Sequence, residues 1–104
     1  MATLSTHVLD TAAGRPAAGV AVRLESRDGD VLDRSVTDDD GRVGSLGGEL
    51  GLGGYLLRFD TGAYWSSESG FFPEVVIVFT VADDRPHHVP LLLSPYGYST
   101  YRGS

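Results

Sequence analysis

Apolar and polar residues alternate over several short segments of the chain. In residues 20–25, Val20, Val22 and Leu24 occupy every second position. A period of two indicates a β-strand with one face on a core and the other toward water. Alternation or a continuous apolar run predicts strands over residues 4–10, 20–25, 31–37, 43–46, 55–60, 74–81, 88–93 and 97–102. Seven or eight short strands at this spacing predict an all-β antiparallel sandwich.

Turn signals separate these strands. Asp-Gly at residues 28–29 predicts a hairpin because the pair tolerates positive φ, and residues 38–42, Asp-Asp-Asp-Gly-Arg, predict a second turn. Residues 61–69 lack the alternation and predict a short helix with Thr61 as its N-cap.

Two strands are apolar on both faces. Residues 75–79 read Val-Val-Ile-Val-Phe, and a run of this kind is expected to be buried on both sides. Residues 88–93 are also apolar on both sides, although Pro90 removes one ladder donor. A two-sheet sandwich with such strands needs a further covering layer, so the pattern predicts a homo-oligomer.

Composition excludes several chemistries. The chain of 104 residues has no cysteine and no lysine, which rules out thiolate nucleophiles, disulfides and Schiff bases. A net charge of −6 disfavours nucleic acid and anionic membranes as partners. Since no segment approaches about 20 consecutive apolar residues, we expect one domain over residues 1–104, located in the cytoplasm.

The histidines are the groups that titrate near neutrality. His7 and His88 lie on strand faces that also carry apolar residues, so their imidazoles are expected to be covered and hydrogen-bonded. His87 points away from the His88 face and is expected to be solvated at the strand edge. The spacing of these residues disfavours a metal site, and no Gly-x-Ser-x-Gly motif supports a serine hydrolase.

Several motifs resemble those of the transthyretin-related family. They are Leu-Ser-Thr-His-Val-Leu-Asp at residues 4–10, Gly-Arg-Pro-Ala at 14–17, Thr-Asp-Asp-Asp-Gly-Arg at 37–42 and Phe-Phe-Pro-Glu-Val at 71–75. The most specific match covers residues 88–104. Its closing Tyr-Arg-Gly-Ser resembles the 5-hydroxyisourate hydrolases of that family rather than the hormone carriers.

The resemblance implies a prealbumin-like sandwich of two four-stranded sheets, mostly antiparallel, with one short helix. It implies a homotetramer, a dimer of dimers with sites in the channel between them. It also implies hydrolysis of 5-hydroxyisourate at its N1–C6 amide, in purine catabolism, without a metal or organic cofactor. The product would be 2-oxo-4-hydroxy-4-carboxy-5-ureidoimidazoline.

The resemblance also assigns the functional residues, as catalytic His7, Arg42, His88 and Ser104, and as substrate-binding His7, Arg42 and Tyr101. One departure concerns residues 86–88, which read Pro-His-His where the family usually has His-Tyr-His. The second histidine of that motif is retained as His88.

Amide hydrolysis without a metal needs an activated water, a stabilised oxyanion and a proton for the leaving nitrogen. Imidazoles suit the first and third tasks, so His7 and His88 are the candidates, with the order of their roles open. Arg42 offers a planar fork of donors for a carbonyl-rich anion. Tyr101 and Ser104 would orient the substrate.

Two alternatives without catalysis share this fold. A small-ligand carrier needs no paired imidazoles and should open an apolar channel. A structural sandwich module is usually embedded in a longer chain and lacks the Tyr-Arg-Gly-Ser end. Because fold alone does not decide function, the test is whether His7, Arg42 and His88 meet.

Overall fold

The alternating segments form strands in the computed structural model, which describes residues 1–66 and 70–104. The elements follow in the order β1 Leu4–Asp10, β2 Arg15–Pro16, β3 Ala21–Ser26, β4 Val31–Val36, β5 Arg42–Val43, β6 Gly53–Phe59, α1 Thr61–Tyr64, β7 Val75–Val81, β8 His87–Ser94 and β9 Gly97–Thr100.

The strands form two sheets, which confirms the all-β sandwich. The first sheet has the order β2-β1-β8-β9, and β5 also pairs with β1. The second sheet has the order β4-β3-β6-β7. Because β2 and β5 are separate two-residue strands, the first sheet has five members rather than the four expected. Pairing is antiparallel except between β1 and β8, which run parallel.

The core lies between the sheets and takes every second residue of the main strands. Leu4, Thr6 and Val8 of β1 are buried, whereas the residues between them are only partly covered. On β8, Val89, Leu91 and Leu93 are buried in the same way. One face of each sheet is therefore dry, and the opposite face is open in the single chain.

Strand β7 differs from its prediction. Val75 and Ile77 are buried, but Val78 is 53% exposed on the opposite face. Burial on both faces is therefore wrong for the single chain, because the second sheet has only one face on the core. The homo-oligomer inferred from this pattern stays a prediction.

The short helix is present, but its cap differs. Asp60, not Thr61, is the N-cap, and its side chain accepts a hydrogen bond from the Ala63 amide. Thr61 is buried and its hydroxyl donates to the Phe72 carbonyl at 2.6 Å. The rest of the predicted helix includes residues 67–69, which lie outside the described residues. No helix in the described part of the chain is long and apolar enough to cross a membrane.

Candidate active site

The open face of the first sheet collects the predicted site residues. The parallel register places Ser5 opposite His88 and His7 opposite Pro90. The pairing of β1 with β5 places His7 opposite Arg42. Since paired residues share a face and alternate residues of β1 are buried, His7, Arg42, His88 and Ser5 lie on one side of the sheet. We call this surface the site face.

A tight turn fixes the backbone of Arg42 beside β1. The Asp38 carboxylate accepts hydrogen bonds from the Asp40 and Arg42 amides, each at 2.9 Å. Gly41 has a φ of 74°, and a Cβ there would lie 2.3 Å from the carbonyl oxygen of Val8. Only glycine fits this close approach. The Asp-Gly-Arg turn therefore fixes the position from which the Arg42 side chain extends.

The same turn orients His7. Its Nε2 lies 2.9 Å from the backbone carbonyl oxygen of Asp40. A carbonyl oxygen only accepts, so Nε2 carries the proton and donates. In the neutral imidazole, Nδ1 is then the nitrogen with a free lone pair.

His88 is half-buried and held by a neighbour on β1. Its Nδ1 lies 2.8 Å from the Ser5 hydroxyl oxygen. Burial lowers the pKa of His88, and its electrostatic interactions with Arg42 and then His7 lower it further, whereas the hydrogen bond with Ser5 acts in the opposite direction. Arg42 and His7 act on the same imidazole, which places the three within electrostatic reach of one another. A lowered pKa keeps His88 neutral at pH 7, as a general base requires.

Residues 101–104, here called the tail, continue the register of β9 along β8. Leu91 pairs with Thr100, and His88 forms a bridge with Gly103. The unchanged register places Tyr101 opposite Pro90, in the row that contains His7. The Gly103 amide donates to the His88 carbonyl at 2.8 Å. Tyr101 is 58% exposed, so its phenol is open to the site face.

The structure thus brings together His7, Arg42 and His88, with Tyr101 in the adjacent row. Ser104 follows the last paired residue and is exposed. Sequence reasoning missed Ser5, which holds the His88 ring. The sequence signal for Ser5 was its position two residues before His7 on the same strand, which places both side chains on one face.

The prediction for His87 is wrong. His87 is 4% exposed and lies on the core side of β8. It has the same parity as Val89, Leu91 and Leu93, so alternation directs it inward. A position at the start of a strand does not by itself give solvent access.

A cavity of about 620 Å³ lies on the open face of the second sheet. Arg23, Arg34 and Arg58 line it together with Asp60 and Glu74. Arg58 is already paired with Glu74 at 2.8 Å, and the lining contains no histidine. The imidazoles suited to proton transfer therefore lie on the site face and not in this cavity. Among residues 1–66 and 70–104, no group of three or more histidine, aspartate or glutamate side chains is placed to hold a metal ion.

Known proteins resemble the chain over nearly its whole length. The model of the HIUase/Transthyretin family matches residues 4–103. A Caulobacter vibrioides protein named 5-hydroxyisourate hydrolase is 50% identical over 115 residues, with 100% of each chain covered. The structure of Klebsiella pneumoniae 5-hydroxyisourate hydrolase matches with a TM-score of 0.89 at 42% identity, covering 98% of this chain and 99% of that one. Sea bream transthyretin, solved with thyroxine, matches with a TM-score of 0.86 at 32% identity, over 96% of this chain and 93% of its own.

The matched range includes His7, Arg42, His88 and Tyr101 and ends one residue before Ser104. The sandwich fold and the sequence motifs indicate the same family as these matches. The chain belongs to the HIUase/transthyretin family.

Proposed function

We propose that this chain is a single-domain hydrolase, over residues 1–104, that opens the ring of 5-hydroxyisourate in purine catabolism. The observation that carries the proposal is the shared position of His7, Arg42 and His88 on one sheet face. Full-length relatives named 5-hydroxyisourate hydrolase support the substrate.

His88 acts as the base in this proposal. Burial, and then Arg42 and His7, lower its pKa, which favours the neutral form that can accept a proton. It takes a proton from water while the water oxygen attacks the C6 carbonyl carbon. The C6–N1 bond then breaks, C6 becomes a carboxylate and N1 takes up a proton. Nε2 of His7 is committed to Asp40, so Nδ1 of the neutral ring first accepts the hydroxyl proton left on C6 and then passes it to N1, while the proton taken up by His88 is released to solvent.

Arg42 binds the carbonyl-rich substrate and stabilises the oxyanion. Its guanidinium stays charged and presents two parallel donors, which match planar oxygen acceptors. Arg42→Lys keeps the charge and loses the fork, so its kcat/KM should fall. Kinetics equal to those of the parent protein would remove Arg42 from the site.

Tyr101 and Ser104 orient the substrate in this proposal. The site face is open in one chain, and Tyr101 stands exposed beside it. A homotetramer, built as a dimer of dimers across this face, would separate the site from bulk solvent while keeping the water that reacts. We therefore propose that the tetramer is the active form, and sedimentation as a monomer at micromolar concentration would contradict it. A cytoplasmic location stays a prediction.

The direct test is the decay of absorbance of freshly generated 5-hydroxyisourate, compared with its spontaneous decay. His88→Ala should lower kcat by about 10²- to 10⁴-fold, the usual contribution of a general base. His7→Ala and deletion of residues 101–104 should each lower kcat as well. If both histidine variants turned over like the parent while remaining folded, the mechanism would be wrong.

The similarity to sea bream transthyretin, solved with thyroxine, favours one alternative, a small-ligand carrier. A carrier would leave the spontaneous decay of 5-hydroxyisourate unchanged. The polar groups on the site face argue against this reading, since a carrier of apolar ligands has no use for His7 beside Arg42. The same absorbance assay separates the two functions.

A further inference from the structure

A small charged cluster lies beside the site face, on the core side of β8. His87 is 4% exposed, and its Nε2 is buried with no hydrogen-bond partner among the described residues. That nitrogen lies 4.0 Å from a carboxylate oxygen of Asp83. Asp83 belongs to the turn between β7 and β8, residues 82–86. Burying a nitrogen without a hydrogen-bond partner costs free energy, so we expect this nitrogen to serve a function.

The tautomer of His87 follows from its other nitrogen. Nδ1 lies 2.7 Å from the backbone carbonyl of Arg85, which only accepts, so Nδ1 carries the proton. In the neutral ring Nε2 then presents a lone pair toward Asp83, and two acceptors face each other. Protonation places an N–H at Nε2, directed to the carboxylate. The cluster is therefore completed by one proton.

Asp83 is a carboxylate throughout the neutral range. The backbone hydrogen bond from Arg85, and then the Arg85 side chain, hold the pKa of Asp83 below its usual value. The same carboxylate oxygen that faces His87 also lies 3.8 Å from the guanidinium of Arg102. One oxygen thus faces a residue of β8 and a residue of the tail.

These two contacts adjoin the site. His87 precedes His88, and Arg102 lies between Tyr101 and Gly103. We propose that Asp83 is a positioning residue, which through His87 and Arg102 fastens the tail to β8 and so sets His88 and Tyr101 relative to each other. We name this arrangement the latch. It rests on the proposed function for its effect on catalysis.

The charged and titratable groups around His87 come from the turn and the tail, together with its neighbour His88 on β8. The turn contributes Asp83 and Arg85, and the tail contributes Arg102 and Tyr101, which line one cavity of about 250 Å³ with His87. Strand β1 contributes only Leu4 opposite His87. Two guanidinium groups, of Arg85 at 3.2 Å and of Arg102 at 3.8 Å, face the Asp83 carboxylate, and the second of them belongs to the tail.

The test uses the intact protein and four variants. Asp83→Asn removes the carboxylate, and Asp84→Asn removes an equal charge from an exposed neighbour that forms no ion pair in the described structure. His87→Gln keeps a donor near the position of Nε2, whereas His87→Asn keeps only a donor near the position of Nδ1. The measurements are amide exchange of Gly103 by NMR, corrected for intrinsic rates, and kcat and KM, each determined separately, for 5-hydroxyisourate.

Asp83→Asn should lower protection of the Gly103 amide and kcat/KM by about tenfold. His87→Gln should keep the protection seen in the parent protein, and His87→Asn should behave like Asp83→Asn. Asp84→Asn should match the parent.

Equal Gly103 protection in Asp83→Asn and Asp84→Asn would overturn the latch, and so would faster exchange with unchanged kcat/KM in Asp83→Asn. A parent protein that does not accelerate decay of the substrate would overturn the proposed function instead. In that case the exchange data alone still decide whether Asp83 fastens the tail.

Discussion

Replacing Gly103 by alanine tests how closely the tail packs on the base. A Cβ on Gly103 would lie 2.5 Å from Cδ2 of His88 and 3.2 Å from its Cγ. Carbon atoms in contact stay about 3.5 to 4.0 Å apart, so the tail or the ring must move by about 1 Å. The ring is held by Ser5 at 2.8 Å. Either movement displaces a group of the site.

The cost falls on the rate rather than on the fold. A misplacement of about 1 Å at a reacting group lowers a rate by about 10²-fold, which is about 2.7 kcal/mol of activation free energy. Gly103 pairs only through an isolated bridge outside the core. We therefore expect the free energy of unfolding to change by less than about 1 kcal/mol.

The assay is kcat for 5-hydroxyisourate together with urea unfolding of the same preparations. Gly44→Ala is the matched control, because a Cβ at Gly44 meets no atom within 4 Å and its φ is not positive. A Gly103→Ala protein with the kcat of the Gly44→Ala protein would refute the packing argument. A large loss of stability in Gly103→Ala would refute the separation of rate from fold.

Three further outcomes can be measured. Tyr64→Phe removes the hydroxyl that donates to the Asp10 carboxylate at 2.6 Å and should cost about 1 to 3 kcal/mol in urea unfolding; an unchanged free energy of unfolding would contradict this. Burial opposes ionisation of Asp10, but the hydrogen bonds from Tyr64 and the backbone prevail and lower its pKa from 3.8. The difference between Tyr64→Phe and parent should therefore be complete above pH 3.8 and shrink as pH falls further. Arg42→Gln should raise the pKa of His88 in an NMR titration, since Arg42 lowers it after burial; no upward shift would show that the guanidinium does not act on this imidazole.

The strands were predictable because alternation is a local signal. The pattern in β3 gives both its existence and its buried face, and the apolar run in β8 gives the existence of that strand. The parallel pairing of β1 with β8 has no such signal, since it joins distant segments through the packing of the whole sandwich. In the sequence, only the family resemblance indicates that His7 and His88 belong to one site.

Errors arose where a residue's environment depends on its neighbours in space. Alternation correctly set His87 opposite His88 but did not say which side was dry. The apolar character of Val78 suggested burial, yet this face of the second sheet is open in one chain. Asp60 replaced Thr61 as the cap because the threonine hydroxyl is used by the Phe72 carbonyl instead.

The parallel contact between β1 and β8 joins residues 83 positions apart, from Leu4↔His87 to Asp10↔Leu93. Closing a loop of that length costs about 4 kcal/mol of chain entropy, and contacts so distant in sequence slow folding. During synthesis, one edge of β1 stays unpaired until β8 has left the ribosome. In a chain where this pairing has not formed, His7 and His88 are not held beside each other. Activity therefore requires that the fold is complete.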